Sequence, residues 1–196
     1  MNEADYKKVL TDYIDKRLNI SEEEKEIIAS SYTLKSFQKK EHIFTQGKPC
    51  SIETFVVKGT LRLYHVDNKG QEHVLLFAFP EWWVGDMASF NTGEPSSLNL
   101  QVLEETIALV IDPTEKEVLL KKVPKLERLF RLMIQKNLSV LQKRFLLTIS
   151  ASASDRYLEL IERSPGIEQL VPQHQIASYL GIHPESLSRM KKQLLK

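Results

Sequence analysis

With 196 residues, 42% of them apolar, the chain can bury a substantial core, as one large domain or two small ones. Its single cysteine, Cys50, excludes a disulfide framework, a Cys-based zinc site and an iron–sulfur cluster. No apolar run approaches a membrane span, and the charged start (Glu3, Asp5, Lys7, Lys8) does not read as a signal peptide, so a soluble cytoplasmic protein is expected. The formal net charge of +1 hides a redistribution along the chain. Residues 41–111 carry four Lys/Arg against nine Asp/Glu, and residues 112–146 carry nine against four. The last segment, 151–196, is nearly balanced at six against five, which permits nucleic-acid binding without requiring it.

Residues 3–32 read as helical. Val9, Tyr13, Ile14 and Leu18 share a face, and Ser21 followed by Glu24 is a capping-box signature for a second helix. From residue 34 to 111 the pattern changes to short runs rich in Val, Phe, Tyr, Leu and Thr. Turn signals punctuate them: Gln46-Gly47, Lys58-Gly59, Asp67-Asn68-Lys69-Gly70, Gly85-Asp86 and Thr92-Gly93. Such spacing suggests an antiparallel roll or barrel, with Thr60–Val66 and Glu72–Phe77 as its clearest hairpin.

A short helix opening near Asp112-Pro113 is followed by Pro124 and a long helix. Leu126, Met133, Val140 and Leu147 recur every seven residues there, with Phe130, Asn137 and Arg144 in the companion seam position. A strict heptad repeat on so long an element suggests pairing with a second copy of the same helix. Packing of the helix on its own β-rich domain is the alternative, and apolar residues on other faces (Leu132, Leu138, Leu141, Phe145) fit it.

The last 24 residues are the most informative. Pro172 to Gly181 is a short amphipathic helix with Ile176, Ala177 and Leu180 on one face. Gly181 falls where two steeply crossing helices need a residue tolerant of positive φ. His183-Pro184 opens a second helix, whose Leu187, Met190 and Leu194 face inward. The other face offers Glu185, Ser186, Ser188, Arg189 and Lys192, with Lys191 and Lys196 adding positive charge. The spacing is that of a helix-turn-helix, and an αα-hairpin of another helical domain is the alternative.

Taken together, these segments resemble the CRP/FNR family of bacterial transcription regulators. The strings that carry the likeness are Gln46-Gly47, Val56-Val57-Lys58-Gly59-Thr60-Leu61, Asp67-Asn68-Lys69-Gly70-Gln71-Glu72 and Gly85-Asp86-Met87-Ala88-Ser89-Phe90. The resemblance implies an α+β chain with N-terminal helices and an antiparallel β-roll of the jelly-roll, cyclic-nucleotide-binding type over 1–112. A dimerisation helix over 113–150 and a winged helix-turn-helix over 151–196 would follow. Between Ser164 and Pro172 there is little room for the usual wing hairpin, so a reduced wing is expected. The chain as given also stops at Lys196, without the terminal strands of many relatives.

By the same resemblance, the effector pocket would fall on Gly85, Asp86, Ser96, Ser97, Leu141 and Gln142. Cyclic-nucleotide binders place Gly-Glu at the start of this cassette and an Arg about ten residues on. Here Asp86 replaces the Glu and Ser96 the Arg, and no Lys or Arg lies between Lys69 and Lys116. A buried cyclic phosphate would lack its cation, so cyclic AMP is not expected as the ligand. Arg62 is a conceivable substitute, although strand alternation points it outward. Trp82 and Trp83 are candidates for a pocket lining or for the core.

The family's base-reading positions fall on Pro184, Glu185 and Arg189. Glu185 is suited to a cytosine amino group and Arg189 to guanine, with Gln173, His183, Ser186, Ser188 and Lys192 near the backbone. The implied dimer interface is Leu126, Phe130, Met133, Asn137, Val140 and Leu147. Implied partners are double-stranded DNA bearing an inverted repeat, a second copy, RNA polymerase and an unknown small-molecule effector. No cofactor or catalytic residue is expected. His42, His65 and His73 do not form the close His-x-His pairing of a cupin metal centre, so neither a metal nor an enzyme is expected. A ligand-binding or scaffolding sensor that does not read DNA is the alternative function.

Overall fold

The computed structural model describes residues 2–194; Lys196, counted above among the basic residues, lies outside them. Two helices come first, α1 (Glu3–Leu18) and α2 (Glu22–Ser31), and a reciprocal capping box opens each. In α1 the pair is Asn2 and Asp5; in α2 it is Ser21 and Glu24, the pair legible in the sequence. Their buried residues, Leu10, Ile14 and Ile28, pack on Phe55 and Leu109 of the sheet that follows.

That sheet belongs to a roll formed by β1 (Thr33–Phe37), β2 (His42–Phe44), β3 (Glu53–Lys58), β4 (Leu61–Val66), β5 (Glu72–Ala78), β6 (Trp83–Val84), β7 (Asn99–Val102) and β8 (Thr106–Ile111). Helix α3 (Met87–Thr92) lies between β6 and β7. The strands form two four-stranded antiparallel sheets, ordered β1-β8-β3-β6 and β2-β7-β4-β5, rather than a closed barrel. Val56, Leu61, Leu63, Leu100, Val102 and Ala108 fill the space between them. Gly59 makes the β3–β4 turn possible, because its φ is +105° and a Cβ there would come within 2.2 Å of Thr106 Oγ1.

After the roll come α4 (Pro113–Lys122) and the 26-residue α5 (Lys125–Ser150). Only the start of α5 is buried. Leu126 is fully enclosed and Leu129 nearly so, in one cluster with Leu10, Phe55 and Leu119. Phe130 and Met133 pack on the same cluster, and Phe130 meets Trp83 edge-on at 5.9 Å between ring centroids. Leu126 therefore cannot serve the interface expected of it, and Phe130 and Met133 are largely committed to their own domain. The heptad repeat is real, but its first half is the buried face of a helix resting on its own roll. Farther along, the exposed apolar stripe is a neighbouring one: Ile134, Leu138, Leu141, Phe145 and Ile149. Asn137 and Val140 are also exposed, whereas Arg144 and Leu147 are half-buried.

The remaining helices are α6 (Ala153–Arg163), α7 (Ile167–Leu170), α8 (Gln173–Leu180) and α9 (Pro184–Leu194). Where a wing hairpin would be expected, the chain forms the four-residue α7. These helices share a core with the roll: Tyr64, Val74 and Phe77 belong to one apolar cluster with Tyr157, Leu160, Ile176, Leu180, Leu187 and Met190. Among the described residues, no helix is long and apolar enough to cross a membrane.

Candidate nucleic-acid interface

The helix-turn-helix is built by local rules. Ile176, Ala177 and Leu180 bury one face of α8, and Gly181 takes φ +68° at its end. The Ile182 N–H then closes back on the Ala177 carbonyl at 3.0 Å, which ties off the helix and turns the chain. Leu187 and Met190 lock α9 against α8, each buried methylene-rich side chain contributing on the order of 2 kcal/mol. Leu194, expected to face inward, is 44% exposed because α9 has run past the core by its last turn.

The opposite face is open. Gln173, His183, Glu185, Ser188, Arg189 and Lys192 are exposed, and Ser186 is half-buried. Arg189 and Glu185 lie four residues apart on one helix, a spacing that puts both on the same face. Lys191, by contrast, is held in an ion pair by Glu168 and is withdrawn from the free positive charge. A net basic face therefore rests on Arg189 and Lys192.

What orients this face is the docking of α8 on β5. Ser178 Oγ donates to the Glu72 carbonyl at 2.7 Å and accepts from the Val74 N–H at 3.0 Å. Arg144, on α5, stacks its guanidinium 3.9 Å from the Tyr179 ring centroid and donates to the carbonyls of Leu75, Val74 and Tyr179. It thus joins the long helix, the roll and the helix-turn-helix through carbonyl dipoles, and burial holds its pKa below the usual guanidinium value. Sequence reasoning saw Arg144 only as a seam residue, because backbone acceptors carry no residue signature.

In the roll, the cassette residues are occupied with one another. Asp86 caps α3, one carboxylate oxygen accepting the N–H groups of Ala88 and Ser89. Its other oxygen accepts the Ser96 hydroxyl at 2.7 Å, and Ser96 Oγ in turn accepts the Leu98 N–H. Gly85 sits behind Cys50, whose thiol pKa is raised by burial. Ser97 offers its carbonyl to His65 Nδ1 at 2.8 Å. Leu141 and Gln142 do not join this group: both lie on the exposed part of α5, Leu141 60% exposed. The pocket expected to combine them with Asp86 and Ser96 is not assembled within a single chain.

Arg62 is 5% exposed yet faces away from the core between the sheets. It forks onto the Glu72 carboxylate, donates to Gln101 Oε1 and lies 4.0 Å over the Tyr64 ring, so it is not a substitute cation inside the roll. Trp83 packs among Tyr13, Phe55 and Phe130 and donates to the Tyr32 hydroxyl, while Trp82 is exposed beside Phe79. His42 bonds Tyr64, and His73 bonds Asp67 at 2.9 Å; with two turn N–H groups, that contact draws the Asp67 pKa down to about 2. Among the described residues no group of three His, Cys, Asp or Glu is placed to hold a metal ion.

Residues 34–122 match the model of the cyclic nucleotide-binding domain. The chain is 25% identical over 173 residues to the anaerobic regulatory protein of Pasteurella multocida, covering 83% of this chain and 63% of that protein. It is also 25% identical over 164 residues to the transcriptional activator protein anr of Pseudomonas aeruginosa, covering 78% and 66%. The chain thus spans just under two thirds of the length of each of these relatives. Among solved structures, FixK2 from Bradyrhizobium japonicum superposes with a TM-score of 0.70 at 22% identity, covering 83% of this chain and 84% of that one. A protein described as a crp/fnr family regulator from Eubacterium rectale gives 0.71 at 16% identity, covering 94% and 88%. These likenesses show the fold. With the roll, the long helix and the helix-turn-helix in this order, the chain is similar to regulators of the CRP/FNR family.

Proposed function

We propose that this protein is a sequence-specific, DNA-binding transcription regulator that works as a homodimer and does not answer to a cyclic nucleotide. The observation that carries the reading is the open face of α9, where Glu185 and Arg189 are exposed on a helix fixed from behind by Leu187 and Met190. The names of the anaerobic regulatory protein and the transcriptional activator protein anr agree with it. Arg189 would fork onto a guanine, Glu185 would accept from a cytosine amino group, and Lys192, Gln173, His183, Ser186 and Ser188 would serve the backbone. The two copies would pair through the stripe Ile134, Leu138, Leu141, Phe145 and Ile149, which is too apolar to face water alone. Two-fold pairing would place the reading helices about 34 Å apart, in successive major grooves. Control of RNA polymerase would follow from where such a dimer sits.

Selection from random duplexes tests the reading. An enriched inverted repeat is expected, and Arg189→Ala should cost roughly 1–3 kcal/mol per half-site and relax one base pair. Recovery of no motif would refute it.

A further inference from the structure

We propose that the roll itself extends the DNA interface: His73, on the β4–β5 hairpin, joins His174 and His183 of the helix-turn-helix in a crevice that receives a backbone phosphate of the duplex, so that DNA affinity rises as pH falls through the imidazole range. This rests on the DNA-binding reading above. The crevice has a volume of about 330 Å³, and Gln71, Glu72, His73, His174, Ser178 and His183 all line it. His174 and His183 are exposed, and about half of the His73 side chain is open to solvent. His183 immediately precedes α9, so the crevice opens beside the start of the reading helix. The hairpin cannot drift from it, because Ser178 and Arg144 bind the backbone of β5.

The charges around the crevice decide what it attracts. Glu72 is neutralised by the Arg62 fork, and Asp67 is bonded to His73 and holds that ring in place. Lys69 in the hairpin turn and Glu185 on the first turn of α9 are the other charged neighbours in sequence. With the imidazoles neutral, the charges that contacts place at the crevice, Asp67 and the Arg62-paired Glu72, disfavour phosphate. Three imidazolium groups reverse that sign, and imidazole is the side chain that changes charge between pH 5 and 8. Two other roles fit less well. The histidines are not arranged around a common metal position. Mutual repulsion between solvated charges is worth too little to pull α8 off an apolar interface containing Val74, Phe77, Ile176 and Leu180.

The experiment measures binding of the full chain to its selected duplex and to an unrelated one, at about pH 5.5 and about pH 8, across a salt series. Affinity for both duplexes should rise on the order of tenfold at the lower pH, and the salt slope should steepen by up to about 0.9 per imidazolium engaged. His73→Asn should remove part of that gain, and His73→Asn with His174→Gln and His183→Gln should remove most of it. His73→Lys should raise affinity at the higher pH, a result that a merely structural His73 would not give. Arg189→Ala should relax the preference at one base pair and keep the pH response, which separates the two readings. A pH response unchanged in the His73 variants would overturn this proposal and leave the DNA reading standing. Saturable binding of inorganic phosphate at the crevice, with duplex affinity indifferent to pH, would assign it to the free anion and also overturn the proposal. Absence of binding to any duplex would overturn both.

Discussion

By the family resemblance Ser96 falls where a cyclic-nucleotide binder carries an arginine, and its hydroxyl donates to Asp86. An incoming cyclic phosphate would meet a carboxylate with no compensating cation, a loss of several kcal/mol. Titration calorimetry with cyclic AMP or cyclic GMP should therefore detect no heat of binding at micromolar concentrations. Ser96→Arg should restore at most weak affinity, since Leu141 and Gln142 present an apolar and an amide side chain on exposed helix rather than a base platform. Saturable binding by the unaltered protein would contradict this account. Arg62 would not rescue it, because its guanidinium is already committed to Glu72, Gln101 and Tyr64.

Helix α5 shows how far an element can be read from its sequence. The length of the helix and its seven-residue repeat were legible, as were the capping box at Ser21, the turn at Gly181 and the inward face of α8. All of these are local, set by residues a few positions apart. The face that α5 leaves open was not legible, because two apolar stripes run side by side and only the roll decides which one is covered. The same holds for Arg144 and Ser178, whose partners lie 35 to 106 residues away and are mostly backbone atoms. The two stripes separate in their response to charge. Leu141→Glu with Phe145→Glu should yield a folded monomer by light scattering, since both side chains are more than half exposed in the single chain. Leu126→Glu should instead unfold the protein by burying an unpaired carboxylate. A persistent dimer in the first variant would place the interface elsewhere.

At the scale of the whole molecule, the helix-turn-helix has no core that is wholly its own. Tyr64, Val74 and Phe77 supply part of the apolar cluster that Tyr157, Ile176, Leu180 and Leu187 complete. Arg144→Ala should loosen this junction by about 2 kcal/mol, since three carbonyls lose a charged donor. The change should appear as faster hydrogen exchange in β5 and α8, with the far sheet, β1-β8-β3-β6, protected as before. Uniform exchange across both sheets would refute that assignment.

The shared cluster also bears on modularity. A segment cut out at the end of α5 would carry Ile176, Leu180 and Leu187 into water on the side where Val74 and Phe77 now stand. Calorimetric melting of the intact protein should accordingly give one cooperative transition spanning roll and reader. The reading head behaves as a graft grown into its stock: exchanging it between relatives would require the β5 surface to travel with it.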